Sequence, residues 1–304
     1  MSRIVKSFSP AKLNLFFAIT GLRSDGYHNV FSANVAVNFG DEISICCSES
    51  GVDEISCDAD FLDKNNNTII AALNLFRSET GFAGHFSVNL KKRIPPEAGF
   101  GGGSSNAAVT LLAANEFAGN PLSSAELAGL GGKIGADCTF FFNGPSVTTG
   151  VGDVCEPIDA RLMNSLGNYD LLIFKPKFGV NTVGAYATLR EKFQSLYTGE
   201  MEARRKFSSF EAAIMAGEAE VPLFNTFTPM VLAKHGIVGE LFRDLNEIGA
   251  NVALTGSGSG CFCLCHGRAG VEAAKAAIKR RLGVDAFVER VWCLGGPVST
   301  SIFF

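Results

Sequence analysis

The sequence has no C-x-x-C pair, although it carries nine cysteines. A zinc knuckle is therefore not expected, and an odd set of scattered thiols fits a reducing cytoplasm better than a disulfide framework. Charge is also sparse. Charged residues make up 18% of the chain and the net charge is -4, with no acidic or basic half. A nucleic-acid surface needs a concentrated basic patch. The three short basic runs, Lys91–Arg93, Arg204–Lys206 and Lys279–Arg281, read as solvated faces; the first is a partial exception because it precedes a glycine-rich loop. No uncharged apolar run approaches the roughly 20 residues that span a bilayer. Met1 to Lys6 holds no apolar stretch of signal-peptide type. A soluble, unexported cytoplasmic protein is expected, with no nucleic-acid, membrane or obligate protein partner. No fixed-period repeat occurs.

What is present is core-forming material. The chain has 304 residues, 47% of them hydrophobic, enough for two modest domains or one large one. Alternation predicts a strand over Ala11–Phe17, with Lys12, Asn14 and Phe16 on one face. A turn follows at Ser24-Asp25-Gly26, and Ile43, Ile45 and Cys47 alternate as a second strand. Helical spacing covers Thr68–Ser78 and stops near Gly81. Phe86–Lys91 reads as a strand, and an Ala/Leu-rich helix runs from about Ser105 to Phe117. Ser123 and Glu126 form a capping box. The apolar run Cys138–Phe142 reads as a strand with Asp137 at its mouth. Gly144–Pro157 marks the handover between halves, 1–152 and 153–304. The second half opens with a strand over Tyr169–Phe174. Helices follow near Val183–Leu196 and Glu202–Met215. A closing pattern places strands at Val252–Leu254, Cys261–Cys265 and Ala286–Cys293 around a helix over Ala269–Arg281. Cys261, Cys263 and Cys265 share one buried strand face. Strands and helices mix without a strict βαβ rhythm, which predicts an α+β fold.

The chemistry concentrates in Gly99-Phe100-Gly101-Gly102-Gly103-Ser104-Ser105-Asn106, between a strand and a helix. Glycines let backbone N–H groups crowd an anion, and a helix start adds free donors and a positive dipole end. Ser104 and Ser105 bring hydroxyls for phosphate oxygens or a magnesium shell. A Walker A loop requires Lys after its glycines, and none follows here; the spacing also suits a dinucleotide fingerprint poorly. This is a phosphate loop of another kind. Thr255–Gly260 is a second glycine-rich turn between strands. Taken alone, Asp137 is a cap, an ion-pair partner or a base. Lys12, on an apolar strand, must pair with an anion or snorkel.

Pro10-Ala11-Lys12-Leu13-Asn14-Leu15-Phe16, the 99–106 loop followed by Ala107-Ala108, and the 255–260 turn together resemble the three ordered motifs of the GHMP kinases. Asp25-Gly26-Tyr27-His28 and Gly135-Ala136-Asp137 are similar to the branch of that superfamily acting on CDP-methylerythritol. The likeness covers most of the chain and is firmest over residues 8–160. Phe100 stands where the family usually has Leu, and Thr139 where Pro usually follows the Asp by two. The resemblance implies a two-domain α+β architecture, an N-terminal nucleotide domain over 1–152 and a C-terminal domain over 153–304, with the active site in the cleft. It implies transfer of the γ-phosphate of ATP, with Mg2+ expected beside it, to the 2-hydroxyl of CDP-methylerythritol in non-mevalonate isoprenoid precursor synthesis. Asp137 matches the family's base and Lys12 its positively charged partner. Pro95, Pro96, Glu97, Ala98, Gly99, Phe100, Gly101, Gly102, Gly103, Ser104 and Ser105 would wrap the ATP phosphates, and Asn67 would border the adenine. Asn14 would bind the erythritol hydroxyls, Tyr27 and Tyr186 would sandwich the cytosine, His28 would read its polar edge, and Thr182 would line the same site. No metal ligands declare themselves. Two alternatives remain open: another GHMP kinase, such as a mevalonate, homoserine or sugar kinase, and a non-catalytic nucleotide-binding regulator.

Overall fold

The computed structural model describes residues 3–60, 62–63 and 66–303. Two long strands, β1 (Ile4–Leu22) and β2 (His28–Cys47), pair antiparallel from Ile4 opposite Cys46 to Leu22 opposite His28. The turn between them holds Gly26 at φ 84°, a left-handed geometry that costs glycine little. The register shifts between Pro10 and Lys12, between Asn14 and Phe16, and between Ile19 and Gly21. These irregularities end the simple alternation expected of the strand. Phe16 packs with Phe31, Phe207 and Phe224 in the core instead of sharing a polar face with Lys12 and Asn14.

Next come β3 (Glu54–Cys57), α1 (Thr68–Thr80) and β4 (Phe86–Lys91). Helix α1 starts where the Asn67 side chain accepts from the N–H groups of Ile69 and Ile70, and it stops at Gly81 with φ 70°. Three helices follow: α2 (Gly102–Phe117), α3 (Ser124–Ile134) and α4 (Ala136–Asn143). Helix α2 begins three residues earlier than its sequence pattern indicates, so two of the loop glycines form its first turn. The Ser123–Glu126 capping box on α3 is present. The apolar run after Asp137 is helix α4, not a strand. A short continuous apolar run carries no period, so sequence cannot separate the two. Here Cys138, Phe140 and Phe141 are all buried.

The chain continues through β5 (Ser146–Thr149), β6 (Val154–Pro157), α5 (Ala160–Leu166), β7 (Asp170–Lys175) and α6 (Thr182–Lys192). Then come α7 (Glu200–Ala216), β8 (Phe224–Asn225), α8 (Thr228–Lys234), α9 (Gly236–Glu247) and β9 (Asn251–Leu254). It closes with β10 (Cys261–Cys265), α10 (Gly267–Leu282), β11 (Phe287–Val291), β12 (Cys293–Leu294) and β13 (Ser301–Phe303). The larger sheet runs β13-β1-β2-β4-β3, with β5, β8 and β12 also pairing onto β1 or β2 and β6 pairing onto β5. The smaller sheet is β11-β7-β10-β9, antiparallel throughout. Strand β10 is buried on both faces. Its cysteines join one core cluster and Phe262 and Leu264 another. Burial raises the Cys261 thiol far above its ordinary range, as a packed, inert side chain requires. Among the described residues no helix is long and apolar enough to cross a membrane.

Candidate active site

Lys12 is 3% exposed on β1, and its Nζ lies 3.1 Å from Oδ2 of Asp137 on α4. The strand and the helix start thus bring together two residues far apart in sequence. Asp137 occupies the first turn of α4, where the helix dipole favours a negative charge, and its side chain is half open to solvent. A buried ammonium without a counter-charge would be costly, and Asp137 supplies that charge. Lys12 Nζ also donates to Oδ1 of Asn14 at 2.8 Å.

Asn14 itself is enclosed. Its Nδ2 donates to Ser32 Oγ at 2.9 Å and to Asn34 Oδ1 at 2.5 Å, and its Oδ1 also accepts from Thr255 at 3.2 Å. Two amide hydrogens and two lone pairs are all engaged within the protein. Asn14 lines the cavity with its amide held by these partners. Asn34 passes the chain on to Thr148 at 2.8 Å.

The phosphate loop is shaped by what passes beside it. Gly101 has φ 70°, and a Cβ there would stand 2.7 Å from Cγ of Lys12. Gly99 has φ 72°, and a Cβ there would stand 2.4 Å from the carbonyl oxygen of Thr255. Phe100 is buried, and its carbonyl accepts from the Lys12 N–H at 2.8 Å, so the bulkier side chain at this position packs in the core. Ala98 is buried and its carbonyl accepts from the Gly260 N–H at 3.0 Å. Pro95 is half-buried, while Pro96 and Glu97 are exposed; Glu97 has φ 51°. No side chain caps α2 at Gly101, which leaves the first N–H groups of the helix available to an anion. Gly102 abuts Lys92, whose ammonium pairs with the fully buried Asp41. Asp41 also accepts from the N–H groups of Arg93 and Ile94, both at 2.8 Å, and so fixes the chain entering the loop. The two serines differ. Ser104 lines the cavity, whereas Ser105 is fully buried with its hydroxyl 2.8 Å from Ser9.

Asn67 caps α1 and borders a second cavity of about 540 Å³ with Thr68 and Lys133. Thr68 donates to the carbonyl of Gly103 at 2.7 Å, which ties this helix start to the loop.

A cavity of about 520 Å³ joins Asn14, Asp137, Tyr27, His28, Thr182 and Tyr186. Tyr27 is 67% exposed at its rim. Tyr186 is half-buried; its ring meets Phe227 edge-on at 5.0 Å and lies 5.1 Å from His28. Burial and the negative charge of Asp137 raise the Tyr186 phenol above its usual range. His28 is 6% exposed and is held below the usual imidazole value, first by burial and then by the charge of Arg190. The shift favours the neutral ring, which has one donor and one acceptor nitrogen, and Tyr197 engages Nε2. Thr182 Oγ1 lies 3.2 Å from Ser257 Oγ of the second glycine-rich turn.

Sequence reasoning missed several neighbours. Tyr197 places its hydroxyl 2.8 Å from Nε2 of His28, and no local pattern announces it. Arg190 lines the cavity at four residues past Tyr186 and eight past Thr182. That spacing on one helix face was the signal that could have found it. Ser32, Asn34 and Thr148 line the cavity from β2 and β5, and nothing local in the sequence marks them.

The family model for the N-terminal domain of GHMP kinases matches residues 67–145. A crystal structure of 4-(cytidine 5'-diphospho)-2C-methyl-D-erythritol kinase superposes with a TM-score of 0.76 at 24% identity, covering 96% of this chain and 99% of that one. Homoserine kinase from Cytophaga hutchinsonii superposes with a TM-score of 0.74 at 15% identity, covering 100% and 98%. The fold is thus the α+β GHMP kinase fold, and the fold alone does not choose the acceptor. The 4-diphosphocytidyl-2-C-methyl-D-erythritol kinase of Protochlamydia amoebophila is 33% identical over 87% of this chain and 85% of its own. At that identity and coverage, the chain belongs to the 4-diphosphocytidyl-2-C-methyl-D-erythritol kinase family of GHMP kinases.

Proposed function

We propose that this ATP-dependent small-molecule kinase phosphorylates the 2-hydroxyl of CDP-methylerythritol, giving the 2-phosphate and ADP, a step of non-mevalonate isoprenoid precursor synthesis. The observation that carries the proposal is one cavity with a Lys–Asp pair at one wall and a Tyr27, His28 and Tyr186 cluster at another. Aromatic faces and a neutral imidazole suit a nucleobase; mevalonate, homoserine and galactose carry none.

Asp137 takes the proton as the acceptor oxygen bonds to the γ-phosphorus and the bond to ADP breaks. Lys12 uses two of its three N–H donors on Asn14 and Asp137, leaving one for the oxygen on which charge develops. The free N–H groups at the start of α2 and the loop from Pro95 to Ser104 bind the ATP phosphates. Ser105, turned inward, braces the loop on Ser9. The adenine borders the helix start at Asn67. Tyr27 and Tyr186 flank the cytosine, His28 reads its edge, and Thr182 closes the cavity against Ser257.

Magnesium accompanies ATP and neutralises phosphate charge. Among the described residues no group of three His, Cys, Asp or Glu side chains could hold such an ion. A magnesium arriving with ATP would be held mainly by phosphate and water oxygens, and the Ser104 hydroxyl, which lines the cavity, would be the side chain available to it. We also propose a nucleotide unit over 1–152 and a second unit over 153–304, since both supply cavity walls. Nine free thiols support a cytoplasmic setting.

An ATP-consumption screen over CDP-methylerythritol, mevalonate, homoserine and galactose tests the reaction. ADP should form with the first alone. Equal or better turnover of any other acceptor overturns the proposal.

A further inference from the structure

The glycines of the Thr255–Gly260 turn explain its close contact with the phosphate loop. They do not explain the threonine at its head. Thr255 is fully buried. Its Oγ1 accepts from the backbone N–H of Asn14 at 2.9 Å and lies 3.2 Å from Asn14 Oδ1. A hydroxyl has one proton. With a lone pair taken by the Asn14 N–H, that proton goes to the amide oxygen. Thr255 therefore adds a second donor, beside the Lys12 ammonium, on the side where the Asn14 amide oxygen sits.

The orientation matters because the same oxygen accepts from Lys12 Nζ at 2.8 Å. A flipped amide would set an NH2 group against the Lys12 ammonium and end the donation from the Thr255 hydroxyl. Two donors would face one another among side chains that are all buried, where an unpaired polar contact is costly. Lys12 would be pushed from its place 3.1 Å from Asp137. Ser32 and Asn34 hold the other end of the amide, but both come from β2, beside Asn14. Thr255 comes from 241 residues away, on a turn that also bonds Ala98 of the phosphate loop through Gly260 at 3.0 Å.

We propose that Thr255 is a positioning residue for phosphoryl transfer: its hydroxyl accepts from the Asn14 backbone and donates to the Asn14 amide oxygen, which anchors that oxygen against Lys12 and so holds the ammonium against Asp137. The second glycine-rich turn thereby couples the phosphate loop to the reacting pair. The proposal rests on the assignment of Lys12 and Asp137 made above.

The test compares Thr255→Val, which keeps shape and loses the hydroxyl, with Thr255→Ser, which keeps the hydroxyl. Thr255→Ala is read in place of Val if Val does not fold. Val should lower kcat by roughly tenfold or more while KM for ATP and acceptor stays within about twofold, since geometry and not binding is lost. Ser should restore kcat to within about threefold of the parent. In an Asn14→Ala background Thr255→Val should lower kcat far less than in the parent, because the bond to the amide oxygen is already gone and only the one from the Asn14 N–H remains to be lost. Unchanged kcat, a Ser variant as poor as Val, multiplying losses in the double variant, or a rise in KM for ATP alone each overturns the proposal. A substrate-free arm follows the Asn14 side-chain amide by 15N NMR. Its signal should shift or broaden in Thr255→Val and return in Thr255→Ser. An unmoved signal overturns the proposal whatever the acceptor proves to be, whereas failure of the parent to use CDP-methylerythritol overturns only the acceptor assignment.

Discussion

Gly260→Ala probes the joint between the two glycine-rich segments. A Cβ at Gly260 would lie 2.2 Å from the carbonyl oxygen of Ala98 and 2.8 Å from the Phe100 ring. Carbon and oxygen in ordinary contact stand about 3.3 Å apart, so the turn and the loop must separate by about 1 Å. The Gly260 N–H to Ala98 bond, now 3.0 Å, then stretches out of hydrogen-bonding range. Phe100 cannot yield easily, because it is 1% exposed and its carbonyl holds the Lys12 backbone. Overpacking of this kind costs about 1–3 kcal/mol. Each kcal/mol lowers the melting temperature by roughly 2–4 °C in a protein approaching this size. The catalytic loss should be larger than the stability loss suggests. The displaced segments hold the Lys12 backbone and, in the proposed mechanism, the ATP phosphates, and a 1 Å misplacement can cost on the order of 10² in rate. Thermal unfolding and steady-state kinetics measure both. Gly129→Ala is the control: it lies within α3, nothing stands within 4 Å of its Cβ position, and it should stabilise by about 0.5–1 kcal/mol with kcat unchanged. A Gly260→Ala enzyme that melts within a degree of the parent and keeps its kcat would show that the two segments do not share a rigid joint.

Three further outcomes follow from the site. Asp137→Asn keeps the size of the side chain but cannot take a proton, so kcat should fall by at least about 10² with little change in acceptor affinity; Lys12→Ala should act in the same direction, and the double variant should be scarcely worse than the poorer single one. A kcat within a few-fold of the parent under saturation would leave Asp137 as an orienting group only. Tyr186→Ala should weaken acceptor binding by roughly 1–3 kcal/mol without touching ATP affinity, which calorimetry reads; a lower melting temperature with unchanged binding would make the residue a core side chain. His28 titrates below the ordinary imidazole value because of burial and Arg190. Folded protein thus resists protonating it, so its contribution to stability is present above the ordinary value and lost as pH falls through the lowered one. Acceptor KM should rise only on that acid side, and Arg190→Gln should move the limb upward; NMR titration of His28 that shows no such movement would refute the electrostatic argument.

The parts legible in the sequence are those where one residue type has one physical use. Glycines crowded before a helix announced a tight loop, and the geometry gives them separate reasons: Gly99 clears the Thr255 carbonyl and Gly101 clears the Lys12 stem. The Ser123 capping box and the Gly81 stop were legible for the same reason, since both are local. Lys12 was conspicuous as a charge on an apolar strand, although no spacing could name its partner 125 residues on. What stayed hidden depends on contacts distant in sequence or on broken periodicity. The β1 irregularity between Asn14 and Phe16 sends Phe16 into the core against the alternating pattern. The run after Asp137 has no period to betray a helix. Tyr197 reaches His28 across 169 residues, and Asp41 meets Lys92 across 51.

Asn14 shows how this limit bears on function. A polar side chain two residues from the reacting lysine is naturally read as a ligand for substrate hydroxyls. Satisfying that amide inside the protein takes Ser32, Asn34, Thr255 and Lys12, drawn from three segments that only the fold brings together. These partners hold the Asn14 side chain in place from within the protein. The phosphate loop, by contrast, keeps its first helical N–H groups uncapped. Unused donors mark where the protein waits for a ligand, and used ones mark where it has set its own geometry.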